Sequence, residues 1–71
     1  MESKTFDLTG EYIELIKLLK FMQVASSGAD AKMLVETGQV KLNGITELRK
    51  RAKLREGDII ELDNLIIAIK R

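Results

Sequence analysis

The apolar residues change period at Gly38, and that switch constrains the fold more than any other feature. Upstream, Tyr12, Leu15, Ile16, Leu19 and Met22 recur at helical spacing with Glu11, Glu14, Lys17 and Lys20 between them, the pattern of an amphipathic helix. It predicts a first helix over residues 11–22, with Thr9 as its N-cap and Lys17 and Lys20 in the later turns, where cations suit the dipole. A second helix, over 28–37, is expected from Ser27-Gly28-Ala29-Asp30, which resembles a capping box with Asp in place of Glu. Ala31, Leu34 and Val35 form its apolar face, and Gly38 can end it in the left-handed conformation. Downstream, Val40 and Leu42 alternate with Gln39 and Lys41, the period of a strand. Asn43-Gly44 predicts a type I′ hairpin, because that turn needs positive φ at both central positions. Arg55-Glu56-Gly57-Asp58 and Asp63-Asn64 read as turns before strands Ile59–Leu62 and Leu65–Ile69. Lys4 to Leu8 is a weaker further strand.

Seventy-one residues hold one domain and exclude two. The chain has no Cys and no His, which removes disulfides, thiolate nucleophiles, imidazole bases and the usual zinc ligand sets. It has no glycine-rich phosphate loop, and nothing in its spacing puts two carboxylates in one cleft. An enzyme is therefore not expected, nor a cofactor, a metal or a small-molecule substrate. The longest apolar run, Leu65 to Ile69, is far short of the roughly 20 residues that span a bilayer. Residues 1–7 contain no apolar export signal. A cytoplasmic monomer without membrane association is the expectation.

The net charge of +1 conceals an asymmetry. Residues 1–31 carry a net −2, residues 32–56 a net +4 and residues 57–71 a net −1. Within the basic third, Arg49-Lys50-Arg51-Ala52-Lys53-Leu54-Arg55 holds five cations and no acid. Such a run suits phosphate oxygens, which Arg grips bidentately and Lys meets as a mobile point charge. It equally suits a solvated loop kept basic for solubility.

Position adds to the count. Ser27-Gly28-x-x-Ala31-Lys32-x-Leu34-Val35-x-x-Gly38-x-Val40-x-Leu42-Asn43-Gly44 resembles the small RNA-binding domain named after the fourth small-subunit ribosomal protein. Gly57-Asp58-x-Ile60 matches the segment that this family places before its next strand, so the motif core runs over about residues 14–62 of a single domain, 1–71. Two positions depart from the family pattern: Gly28 stands where its Arg follows the serine, and Glu14-Leu15-Ile16 stands for Arg-Leu-Asp. With Arg49-Lys50-Arg51, these departures resemble the compact stand-alone bacterial members, the YbcJ-like subgroup. The resemblance implies an α+β fold, the αL motif, with two antiparallel helices against a small, bent, mostly antiparallel sheet. It implies non-catalytic binding of structured RNA, ribosomal RNA being one candidate, by the second helix start, the hairpin and nearby basic residues.

The RNA-binding candidates are Ser27, Gly28, Lys32, Lys41, Asn43, Arg49, Lys50, Arg51 and Lys53, with Arg55 a weaker one. A helix N-terminus has free N–H groups, so Ser27 and Gly28 suit a phosphate, although Ser27 is equally explained as a cap. Lys32 and Lys41 should face outward, whether toward RNA or solvent. Asn43 belongs to the turn before it belongs to the RNA. Tyr12 and Phe21 fall within the helical period and are expected to pack, leaving little support for stacking on bases. The rival reading is a protein-interaction adaptor using the same basic surface on an acidic partner. Salt dependence separates the two, since neutralising about four to six phosphates would give a log–log slope of roughly −3 to −5.

Overall fold

The computed structural model describes residues 2–71. The elements are β1 (Glu2–Asp7), β2 (Ile13–Glu14), α1 (Leu15–Phe21), α2 (Gly28–Glu36), β3 (Val40–Leu42), β4 (Ile45–Thr46), β5 (Lys53–Leu54), β6 (Ile59–Leu62) and β7 (Leu65–Lys70). Five strands form one sheet in the order β1-β7-β6-β3-β4, while β2 and β5 pair as a separate ribbon. All pairs are antiparallel except β1 with β7, which run parallel from Glu2↔Leu65 to Asp7↔Lys70. The architecture is α+β, two helices on a mostly antiparallel sheet, as the sequence predicts.

The weak strand at the N-terminus is real and lies at an edge. Only Phe6 of β1 is even half-buried, so little alternation is required of it. Leu8 carries the pairing one residue further, donating its N–H to the Lys70 carbonyl (2.6 Å) and sinking into the core.

The core is wholly aliphatic. Leu15, Leu18 and Leu19 of α1 and Ala31 and Val35 of α2 meet Val40, Ile60, Ile67 and Ile69 of the sheet, and no polar side chain is buried among the described residues. Removing such side chains from water, at about 1.5–3 kcal/mol for each large one, supplies the main driving force.

Helix α2 forms close to its predicted span because both ends are written locally. The Ser27 hydroxyl accepts the Asp30 N–H (3.1 Å). The Asp30 carboxylate reaches past Ser27 and accepts from the Ser26 N–H instead (3.1 Å), so the capping box closes one residue early. At the far end Gly38 takes φ 78°. Its N–H donates to the Val35 carbonyl, and that of Gln39 to Leu34 (3.1 and 3.2 Å), a Schellman motif.

Helix α1 corrects the sequence reading. It begins at Leu15, four residues later than expected, with Glu14 at the cap position and no side-chain cap. Thr9 is not its cap. The Leu15 N–H donates to the Ala52 carbonyl (2.9 Å) and the Ile16 N–H to that of Lys50 (3.1 Å). Distant backbone therefore satisfies the first turn, and residues 13–14 pair as strand instead of helix. As a result Tyr12 is 43% exposed and Phe21 69% exposed, where helical periodicity predicts packing. Phe21 meets only the edge of Phe6, with ring centroids 5.1 Å apart. No helix among the described residues is long and apolar enough to cross a membrane.

Candidate nucleic-acid interface

The β2–β5 ribbon is the scaffold. Ile13 pairs with Leu54 and Glu14 with Lys53. Strand alternation turns Leu54 and Ile13 inward, Leu54 being fully buried, and directs Tyr12, Glu14, Lys53 and Arg55 to the other face. The loop before β5 is held by the two carbonyls that cap α1, so the arginine run is anchored through its backbone while its side chains stay outside.

The run contains no acid, but the fold brings two to it. Arg51 Nε lies 3.2 Å from Glu14 Oε2, and Lys17 Nζ lies 3.9 Å from Oε1 of the same carboxylate. Arg49 grips Glu47 through Nε (3.0 Å) and Nη2 (3.2 Å), and its backbone N–H also donates to Oε2 (3.1 Å). The side-chain hydrogen bond from Arg49 is the main cause that holds the Glu47 carboxyl below its ordinary value, and the same bond raises the Arg49 guanidinium. Lys53 Nζ sits 5.0 Å and Arg55 Cζ 5.8 Å from the centroid of the Tyr12 ring. Lys50 has no ion-pair partner among the described residues. Five cations against Glu14 and Glu47 leave a local excess of three positive charges. They border a shallow depression of about 470 Å³ lined by Arg49, Arg51, Ala52 and Lys53. A larger one, about 610 Å³, has Glu2 and Asp63 on its rim, the wrong sign for a polyanion.

The other sequence candidates lie apart from the ribbon. Ser27 and Gly28 start α2 and follow the C-terminal end of α1, so a helix of seven residues, about 10 Å long, separates them from the loop. Ser27 serves as the cap, and Asp30 already sets a carboxylate at that helix start. Lys32 projects from α2 beside buried Ala31. Lys41 faces out of the sheet opposite Glu61, in a hollow shared with Gln39, Glu61 and Asp63 rather than with the arginine run. Asn43 belongs to the turn, at φ 52° beside Gly44 at 86°. Its Oδ1 accepts the Ile59 N–H (2.8 Å) and its Nδ2 donates to Asp58 Oδ1 (3.1 Å). Sequence reasoning missed Tyr12 as part of the basic face, since a strand of two residues is too short to announce itself by alternation.

The model of the S4 domain family matches residues 6–70. The chain belongs to the S4 domain family. This S4 domain is 43% identical over 49 residues to the Escherichia coli (strain K12) protein named "Putative RNA-binding protein YbcJ", a match covering 69% of this chain and 70% of that protein. YbcJ of Shigella flexneri matches to the same extent. The solution structure of Escherichia coli YbcJ superposes with a TM-score of 0.73 at 35% identity, covering 94% of this chain and 86% of that one. That structure is described as revealing an αL motif involved in RNA binding. In this S4 domain the departure at Glu14 has a structural counterpart: where the family pattern has Arg, a carboxylate meets Arg51 and Lys17.

Proposed function

We propose that this S4 domain binds folded RNA without catalysis, through Arg49, Lys50, Arg51, Lys53 and Arg55 on the ribbon and its loop. Ser27, Gly28, Lys32, Lys41 and Asn43 lie at the periphery of that surface. The observation that carries the reading is the excess of cations on one rigid ribbon, with the loop backbone tied to α1 so that arginine and lysine side chains are free to meet phosphates. The RNA-binding description of the YbcJ relatives supports the same ligand class. Folded RNA fits better than an extended strand, because one short ribbon offers shape and charge rather than a row of stacking rings. Ribosomal RNA is one such target.

Two of the five cations already hold carboxylates, so about three phosphates are neutralised and the salt slope should be roughly −2 to −3, at the shallow end of the sequence expectation. Replacing Lys50, Arg51 and Lys53 together with Ala leaves the α1-capping carbonyls in place. Affinity for folded cellular RNA should then fall at least about tenfold and the slope flatten by roughly 2 to 3, one for each lost contact. The melting temperature should move by no more than about 4 °C. Unchanged RNA affinity in this folded variant would refute the site. Salt-insensitive capture of an acidic protein by the wild type, with no RNA bound, would favour the adaptor.

A further inference from the structure

We propose that Tyr12 is a stacking platform for an unpaired base, so that the ribbon engages a bulged or looped nucleotide rather than an uninterrupted duplex. The inference rests on the RNA-binding reading and deepens it. Tyr12 is an exposed aromatic directly before β2, fixed in place by the Ile13–Leu54 pairing and by the start of α1. It takes no part in the aliphatic core. Its ring is met by Lys53 and Arg55, which would put a phosphate next to a base lying on the ring. Phe21, the other strongly exposed aromatic, lacks this setting and packs against Phe6. An exposed cation–π contact is weaker than a stacked base, so a nucleobase can displace a cation from the ring and leave it free for the backbone. Bases within a duplex present no face for such stacking, which restricts the ligand to an unpaired nucleotide.

Tyr12 is the one tyrosine, and the chain has no Trp, so tyrosine emission reads this residue alone. The probes are an RNA hairpin with a single bulged adenosine and the same hairpin without it. Wild-type emission, corrected for absorption by RNA, should be quenched by the bulged hairpin. Tyr12→Leu should weaken binding of the bulged hairpin about fivefold or more while leaving the continuous hairpin within about twofold, and Tyr12→Phe should retain wild-type preference. Quenching is measured on the native chain, so the proposal stays testable even if Tyr12→Leu unfolds. Binding of the bulged hairpin with unchanged emission, or equal weakening on both hairpins in a folded Tyr12→Leu variant, would overturn stacking and leave RNA binding standing. A wild type that binds neither hairpin nor cellular RNA would overturn both.

Discussion

The two helix starts of this S4 domain solve the same problem by different means. Helix α2 satisfies its first N–H groups with its own neighbour Ser27 and sets Asp30 against the positive end of its dipole. Helix α1 has no side-chain cap and borrows the carbonyls of Lys50 and Ala52 from a loop more than thirty residues away. A locally capped start is independent of the rest of the chain and already carries a negative charge. A start capped by tertiary contacts ties the basic loop to the core and leaves its side chains facing outward. The difference explains why the positive surface gathers at the α1 end, although both helices have a dipole to offer.

The largest expected effect comes from the anchor of the borrowed cap. Leu54 is fully buried, and Leu54→Ala should cost about 2–5 kcal/mol, lowering the melting temperature by at least about 8 °C. Amide exchange at Leu15 and Ile16 should accelerate more than at Asp30. Equal protection at both starts would break the comparison. Ser27→Ala, which removes the local cap, should cost about 1 kcal/mol, or about 4–8 °C, with RNA affinity unchanged. A drop in affinity matching that of the ribbon variant would make the α2 start a contact site. Gly28→Arg sharpens the contrast, because a Cβ there meets nothing within 4 Å. It restores the side chain of the family pattern, and the salt slope of RNA binding should steepen by about 1 without loss of stability. The smallest effect concerns Glu47, whose carboxyl is held below its ordinary value of 4.5 chiefly by the hydrogen bond from Arg49. A depressed carboxyl stabilises the fold above its unfolded-state value and loses that contribution as pH falls through the folded one. Glu47→Gln should therefore lower the melting temperature at pH 7 by no more than about 3 °C, and the gap should close on acidification below pH 4.

Legibility in the sequence followed the range of the interactions. The Asn43-Gly44 turn and the end of α2 at Gly38 were readable because positive φ favours residues without, or tolerant of, the Cβ clash. The end of α1 uses the same Schellman geometry with Gln23 at φ 59°, and glutamine gives no warning of it. In the candidate site the five cations were visible as a run. Their partners were not, because Glu14 and Arg51 are separated by 37 positions.

The sequence by itself determined the α+β class, the span of α2, the hairpin turns and the basic segment, because each depends on hydrophobic period, capping chemistry or backbone sterics within a few residues. Only the tertiary structure decided that Ile13–Glu14 is strand, that α1 begins at Leu15, that Arg49 and Arg51 hold carboxylates, and that Tyr12 lies among cations on an open face. Those outcomes turn on which backbone carbonyl or side chain arrives from a distant part of the chain once the core has closed, and no local periodicity encodes that arrival.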